Sequence, residues 1–273
     1  MLIGEKFLFV ELQKTGSTHI KQQLQALFGG VNEGKHNKPT PEMLASGRAV
    51  IGSIRDPWSW YLSLWSYGCQ RRGSLYNRLV DPEAWKRSLL LIEQRQRLHG
   101  DLPVAQLTPV RAHDVWYADV GSAQGFREWL RAVCLPEMRL TVQMGFNKSR
   151  VGQFGCGLMT YRYLRLFTSG VDNLSDEVAT VDDFRRWVDT HFEPTQMIRL
   201  HRVAEDLIAL GETLGQPLSP AQCAALREAP PTNRSSRPHP FAHYYDQQCL
   251  DWVAEREWLL IERHGYERPV LAG

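Results

Sequence analysis

The first 28 residues constrain the fold more than any other part of the chain. The run KFLFVEL at 6–12 is short, apolar and rich in β-forming residues, which predicts a buried strand. The turn QKTGST follows it. Apolar residues then recur at helical spacing from Ser17 to Phe28, and Gly29-Gly30 ends the pattern. These residues therefore predict a strand–loop–helix unit.

A second unit of the same kind follows. The apolar run AVIGSI at 49–54 predicts another buried strand, and Pro57 suits the first turn of the helix after it. Near the C-terminus, the run at 196–215 predicts a short strand that continues into a helix. Strands alternating with helices in this way predict an α/β fold with a mainly parallel sheet. We expect one domain over residues 1–273.

The rest of the chain gives weaker indications. Residues 70–195 are expected to be mainly helical and to line the part of any active site that binds the group-accepting substrate. The period of YRYLRLF at 161–167 does not distinguish a strand from a helix. Residues 243–265 predict one long amphipathic helix. Most of the nine tryptophans are expected to belong to the core.

Charge and cysteine content exclude several classes of protein. The chain has 32 basic and 30 acidic residues, so its net charge of +2 argues against a nucleic-acid binder. Its five cysteines contain no CxxC pair, which favours reduced thiols over a zinc site or a disulfide framework. No stretch approaches the ~20 apolar residues of a membrane span, and no signal sequence is evident. We expect a bacterial cytoplasmic protein or a piece trimmed from an anchored one.

The turn after the first strand has the composition of an anion site. Backbone N–H groups at a helix start point outward, and the helix dipole favours negative charge there. Lys14 adds a positive charge, Gly16 allows close backbone approach, and Thr15, Ser17 and Thr18 add hydroxyl donors. The turn lacks the first glycine of the Walker A pattern. The alternative is an ordinary capped helix with a surface lysine.

A second candidate anion site follows the second strand. Arg55 lies at its carboxyl end, where ligands of open α/β sheets bind, and Ser63 lies two turns into the next helix. A guanidinium and a hydroxyl so placed can hold a phosphate. The alternative is that Arg55 pairs with Asp56 and that Ser63 only fills a helix face.

Together, these motifs resemble those of sulfotransferases that use 3′-phosphoadenosine-5′-phosphosulfate (PAPS). QKTGSTHI resembles their 5′-phosphosulfate loop, and SIRDPWSWYLSLW resembles their 3′-phosphate motif. The likeness is closest to the carbohydrate branch and its bacterial relatives, and GKHNKPTPEM also resembles that branch. Gln13 replaces the usual proline, and Trp60 stands where many members carry arginine.

The resemblance implies a fold, a donor and a set of binding residues. The fold would be a P-loop-like three-layer arrangement with helices on both sides of a central sheet. PAPS would be the sulfuryl donor, its desulfated form PAP the product, and a hydroxyl of a saccharide or other small molecule the acceptor, with no metal required. Lys14 would stabilise the leaving phosphate, the segment 15–18 would hold the 5′-phosphate, and Arg55 with Ser63 would hold the 3′-phosphate.

The reaction also needs a general base, for which the sequence offers three candidates. His36 is preferred, because its ordinary pKa lies near neutrality and the carbohydrate branch carries a histidine at a similar position. It is otherwise a surface residue of a polar loop. The alternatives are His19, in the first turn of the helix after the phosphate loop, and Glu11, at the end of the first strand.

Two further groups of polar residues are weaker candidates. Asn233, Ser235 and Arg237 lie in a proline-flanked loop and are expected to donate hydrogen bonds to the nucleotide, unless this is a plain surface loop. The basic residues between 71 and 97 either face an anionic acceptor or form a solvated helix face. They are Arg71, Arg72, Arg78, Lys86, Arg87, Arg95 and Arg97.

Two other functions are compatible with parts of this pattern. One is an ATP- and magnesium-dependent P-loop phosphotransferase, which predicts a Walker-type glycine before the lysine and a magnesium-binding acid at a strand end. The other is a non-catalytic nucleotide-binding protein, in which Lys14 and His36 can change without loss of any activity.

Overall fold

The structure is a computed structural model, and it describes residues 1–99, 107–229 and 237–271. The chain divides into two compact units, which we call the sheet unit and the helical unit. The sheet unit comprises Met1–Arg55, Arg162–Val171 and Asp182–Arg234, and the helical unit comprises Asp56–Tyr161, Asp172–Val181 and Ser235–Gly273. The expectation of a single domain stays a prediction.

The described residues form five strands and a larger set of helices. The strands are β1 (Leu2–Ile3), β2 (Phe7–Val10), β3 (Val31–Asn32), β4 (Ala49–Ile54) and β5 (Gln196–Arg199). The helices are α1 (Ser17–Phe28), α2 (Pro41–Leu44), α3 (Pro57–Cys69), α4 (Ser74–Val80), α5 (Pro82–His99), α6 (Pro109–Arg111), α7 (Ala123–Cys134), α8 (Arg139–Val142), α9 (Leu158–Phe167), α10 (Val181–His191), α11 (Val203–Thr213), α12 (Pro220–Glu228), α13 (Phe241–Tyr244), α14 (Gln247–Arg256) and α15 (Trp258–His264). Short 3-10 and π turns join several of them.

The sheet confirms the α/β class but is mixed. Its strand order is β3-β1-β2-β4-β5. Strands β2, β4 and β5 are parallel, whereas β1 pairs antiparallel with both β2 and β3. The sequence predicted the parallel centre. It missed β1 and β3, because each has only two residues and no periodicity can identify so short a strand.

One face of the sheet carries a hydrophobic core. Phe7, Phe9, Ile51 and Ile198 project from the parallel strands and are buried. They pack with Leu214, which follows α11, and with buried side chains of three helices, namely Ile20, Leu24, Leu207, Leu210 and Leu226 of α1, α11 and α12. This packing fixes where α1 begins relative to the strand ends.

The helical unit is built around aromatic side chains. Six of the nine tryptophans are fully buried, all in this unit: Trp58, Trp60, Trp65, Trp85, Trp116 and Trp129. Their indole N–H groups find partners inside it: Trp58 Nε1 donates to the Leu250 oxygen at 3.1 Å and Trp129 Nε1 to Tyr117 Oη at 2.6 Å. The tryptophans therefore serve mainly the core, as the composition predicted.

The structure decides one open question about the helices and corrects one expectation. The ambiguous run at 161–167 is helical and belongs to α9. The long helix predicted over 243–265 is instead three helices, α13, α14 and α15, and Glu257 lies between the end of α14 at Arg256 and the start of α15. The Glu257 carboxylate turns inward to accept bonds from Met159 N at 3.1 Å and Thr160 N at 2.8 Å. This tertiary contact leaves no trace in the amphipathic pattern.

Two basic residues of the run at 71–97 make side-chain contacts within the helical unit, whereas Arg71 and Arg72 are exposed. The Arg78 guanidinium donates to the backbone oxygens of Thr141 and Leu140, at 2.6 and 2.5 Å. Lys86 pairs with Glu83 at 2.6 Å on an exposed helix face. The side chains of Arg87, Arg95 and Arg97 lie outside the described residues.

Candidate functional site

The loop between β2 and α1 contains two residues with a left-handed backbone. Lys14 has φ 63° and Gly16 has φ 76°, both in the left-handed region. Glycine adopts this conformation readily, but for lysine it costs about 1–2 kcal/mol. A Cβ at Gly16 would lie 2.3 Å from Leu200 Cδ1, just beyond the end of β5. Position 16 therefore favours glycine for its conformation, and a Cβ there would also require the end of the Leu200 side chain to move.

Helix α1 begins with its first N–H groups uncapped. Gly16 is its N-cap residue, and no side chain in the described part of the protein caps it. Other helices do have side-chain caps: Asp56 for α3, Ser122 for α7, Ser219 for α12 and Asp246 for α14. The N-terminus of α1 therefore presents donors and a positive dipole end to an anion.

Two buried hydroxyls hold this loop against the neighbouring strand. Thr15 Oγ1 lies 2.7 Å from the Leu12 oxygen and 2.7 Å from Ser53 Oγ, and both hydroxyl residues are fully buried. Ser53 was missed by the sequence reasoning. Its signal was a hydroxyl inside the apolar run AVIGSI, two residues before Arg55.

Arg55 reaches across to the same loop. It directly follows β4, and its Nη1 donates to the Lys14 backbone oxygen at 3.4 Å. Burial first, and then the charge of Arg55, lower the pKa of Lys14 from 10.5 to about 8. Arg55 and Lys14, which follow adjacent parallel strands, thus lie close enough for the charge of Arg55 to disfavour protonation of Lys14.

His36 lies close to the strand that leads into the loop. Its Nδ1 is 2.8 Å from the backbone oxygen of Glu11, so the neutral ring carries its proton on Nδ1. Nε2 then has the lone pair that accepts a proton. Burial lowers the pKa of His36, although its bond to Glu11 acts in the opposite direction. The ring is therefore neutral and basic at Nε2 near pH 7.

The two alternative bases are placed differently. Glu11 is fully buried, with its carboxylate 3.0 Å from the Met1 amino group and 3.4 Å from Lys21 Nζ. His19 is buried in the first turn of α1, where burial lowers its pKa. Its Nδ1 has no hydrogen-bond partner among the described residues. The Glu11 carboxylate is thus committed to ion pairs, whereas His19 is not.

The remaining predicted site residues fall into three groups. Ser17 is buried and Thr18 half-buried, both in the first turn of α1. Ser63 is buried on α3 and Arg237 is half-buried, and both belong to the helical unit. Asn233 and Ser235 lie outside the described residues. The structure thus brings the predictions at positions 14–18 and 55 together, and the other roles stay predictions.

The edge formed by the ends of β2, β4 and β5 carries one further ordered arginine. Arg199 ends β5 and is held by buried Asp206, which accepts from its backbone N at 2.7 Å and its Nη2 at 2.6 Å. This pair fixes the turn that carries Leu200 against Gly16. The carboxyl edge of the parallel strands is therefore rigid on the side of β5.

No family model, curated protein or solved structure matches this chain. Within the described ranges, no helix is both long enough and apolar enough to cross a bilayer. The same residues contain no cluster of three or more histidine, cysteine and acidic side chains arranged for a metal ion.

Proposed function

We propose that the chain is a sulfotransferase that transfers a sulfuryl group from PAPS to a hydroxyl of a saccharide or other small acceptor. One observation carries the proposal: Lys14 and Arg55, at the ends of adjacent parallel strands, come together at the uncapped N-terminus of α1. An anion bound there meets two cationic side chains and the helix N–H groups at once. The motif resemblance identifies the anion as a nucleotide with phosphates at both its 5′ and 3′ positions.

Each part of this site has a role in the scheme. The loop backbone and the hydroxyls of Ser17 and Thr18 hold the 5′-phosphosulfate, and Arg55 holds the 3′-phosphate. Thr15 contributes through its backbone, because its buried hydroxyl is bonded to Leu12 and Ser53. Lys14 stabilises the charge that develops on the leaving phosphate. Its pKa of about 8 leaves it mostly protonated near neutrality, and a bound anion raises that pKa again. Supporting roles for Ser63, Asn233, Ser235 and Arg237 rest on the sequence motifs alone.

The transfer is an in-line displacement at sulfur, by analogy with phosphoryl transfer. The acceptor oxygen forms the new S–O bond while the bond between sulfur and the bridging phosphate oxygen breaks. The phosphate oxygen of the departing PAP keeps that electron pair, and Lys14 neutralises the negative charge that results. His36 Nε2 takes the acceptor's proton, since Nδ1 already holds one against Glu11. None of these steps uses a metal ion.

We further propose that the fold is of the P-loop-like three-layer kind. Helices α1, α11 and α12 pack on one face of the sheet. Gly52 projects to the other face, and a Cβ there would lie 2.9 Å from a ring atom of Phe167 at the end of α9. Layers on both faces fit the three-layer arrangement. A bacterial cytoplasmic location fits the five cysteines, none of which forms a disulfide in the described residues.

Thermal unfolding in the presence of nucleotides tests the donor. PAP is expected to raise the melting temperature, because a ligand stabilises the state that it binds, and ADP or ATP with Mg²⁺ is expected to leave it unchanged. Stabilisation by ATP with Mg²⁺ and not by PAP would instead favour the phosphotransferase. Transfer of radioactive sulfate from labelled PAPS to a panel of saccharides then tests catalysis. PAP binding without transfer to any hydroxyl acceptor would favour the non-catalytic nucleotide-binding protein.

A further inference from the structure

Loop 33–40 carries His36; its first residues contact Met1, and Lys38 joins its later part to the segment after α9. Lys38 Nζ donates to the backbone oxygen of Thr168 at 2.5 Å, just after α9, and lies 4.0 Å from Glu193 Oε1. The Thr168 oxygen sits at the negative end of the α9 dipole, which favours a cation. Lys38 therefore joins the loop to two separate segments of the chain.

The anchor of this lysine is itself rigid. Thr168 and Phe192 form a β-bridge, and Glu193 N donates to the Phe167 oxygen at 2.9 Å. The Glu193 side chain is only 12% exposed, and burial raises its pKa, an effect that the charge of Lys38 opposes. The Lys38 side chain is 38% exposed. The contact therefore lies at a partly buried, ordered position and differs from a solvated surface pair.

His36 needs such a support, because its backbone is strained. Its φ of 58° lies in the left-handed region, where a non-glycine residue costs about 1–3 kcal/mol and persists only if surrounding contacts fix it. One such contact is the bond from its ring to Glu11. Lys38, two residues further on, supplies the next fixed point along the loop.

Lys38 affects His36 by holding the loop in place and not through its charge. The charges that shift the pKa of His36 belong to Glu11, Lys35 and the Met1 amino group, and desolvation is the largest cause. Lys35 lies beside His36 and is exposed. It offers a matched control, since replacing it removes one positive charge from the same loop and leaves the Lys38 contacts in place.

We infer that Lys38 is a positioning residue, which holds the loop so that His36 keeps its Nδ1 proton on the Glu11 oxygen and presents Nε2 to the acceptor. The contacts of Lys38 and His36 described above support the placement of the ring. The use of Nε2 as the base rests on the proposed function. Without the Lys38 contacts, loop 33–40 is no longer held in place, and the His36 ring then adopts both neutral tautomers.

NMR of ¹⁵N-labelled imidazole rings measures the tautomer directly and needs no activity. In the unchanged protein we expect the His36 signals of the Nδ1–H form. Lys38→Met is expected to give a mixture of the two neutral tautomers. Lys38→Arg keeps the charge and the donors, so it should retain the Nδ1–H form. The control Lys35→Met should retain that form as well. In the transfer assay, Lys38→Met is expected to lower kcat about 10–100-fold, with the PAP dissociation constant within about twofold.

The outcomes separate this inference from the proposed function. An unchanged tautomer in Lys38→Met overturns the positioning role, whatever the activity. A changed tautomer supports that role, and if the unchanged protein also transfers no sulfuryl group, the proposed function alone fails. If Lys38→Met does not fold, Glu193→Gln removes the ion pair but keeps the bond to Thr168. This variant is expected to give a smaller shift towards the Nε2–H tautomer than Lys38→Met. An unchanged ratio of the two His36 tautomers in Glu193→Gln overturns the inference.

Discussion

Arg55 Nη1 donates to the backbone oxygen of Lys14 at 3.4 Å, which joins two motifs that lie 41 residues apart in sequence. The contact follows from strand pairing. Val10 of β2 stands opposite Gly52 of β4 in parallel register, so the chain leaves both strands at the same edge of the sheet. Parallel pairing is therefore what turns two separate sequence patterns into one candidate anion site.

Replacing Arg55 is expected to weaken PAP binding. Arg55→Met removes the charge and the hydrogen-bond donors but keeps an unbranched side chain. The loss of a charged hydrogen bond, about 1.5–3 kcal/mol, corresponds to roughly 10–100-fold weaker binding by isothermal titration calorimetry. Arg48→Met is the matched control, because Arg48 directly precedes β4 as Arg55 directly follows it. Equal loss of affinity in both variants would contradict the site.

A methyl group at position 16 is expected to disrupt the loop. Gly16→Ala adds both a strained backbone and a clash with Leu200, whereas Gly47→Ala, at φ 75° with no atom within 4 Å of its Cβ, adds only the strain. Strain alone destabilises by about 1–2 kcal/mol. We expect the Gly16 variant to lose more stability in urea unfolding and to lose PAP binding.

The double variant Gly16→Ala with Leu200→Ala isolates the clash. Truncation of Leu200 removes the Cδ1 atom that the new methyl group meets, so stability relative to Leu200→Ala alone should fall only by the strain seen at Gly47. A penalty at Gly16 that is unchanged without Leu200 would show that this contact does not limit the position.

The pH profile of kcat/KM is expected to have two limbs. Burial lowers the pKa of His36, so the base stays neutral until the pH falls below about 6.5, and activity is lost only on further acidification. Lys14 must be protonated, so activity also falls as the pH rises through about 8. Lys14→Arg is expected to move the alkaline limb upward, since arginine stays charged.

Variants of His36 test the acid limb. His36→Ala is expected to retain PAP binding and to lose turnover by about 100-fold or more, the usual contribution of a general base. The residual activity of His36→Ala should no longer fall as the pH is lowered, because the group that titrates on the acid side of the wild-type profile is absent. Normal turnover in His36→Ala would remove this residue from the base role and direct attention to His19, whose Nδ1 is buried without a partner among the described residues.

Glu257 is expected to make stability pH-dependent. Burial raises the pKa of this carboxyl from 4.5 to about 7, although Thr160 and Tyr61 oppose the shift through hydrogen bonds. The folded state therefore binds more protons than the unfolded state between pH 4.5 and 7, and its stability declines as the pH rises through that window. The full effect is about 3 kcal/mol.

Glu257→Gln separates the titration from the packing. The amide has one acceptor oxygen where the carboxylate has two, so some donors of Met159, Thr160 and Tyr61 lose their partner and the melting temperature falls. The slope of the melting temperature against pH over this window should flatten in the variant. An equally steep slope would assign the pH dependence to another group.

The local patterns of the sequence determined the α/β class, the strands β2, β4 and β5, and the glycine-containing turn between β2 and α1. These features depend on neighbouring residues: an apolar run, a glycine where φ is positive, and a helical period. The same patterns left α9 undecided and predicted one helix where Glu257 separates α14 from α15. A side chain that turns inward to a distant helix start has no local signature.

Only the tertiary structure decided which polar groups meet. It placed Arg55 against the Lys14 loop, fixed the proton of His36 on Nδ1 and engaged Glu11 in ion pairs. It also brought Ser53 against Thr15 and Lys38 against Thr168. Each of these contacts joins residues at least 10 positions apart. Their geometry depends on strand register and on the packing of α1 and α9, which no local pattern in the chain specifies.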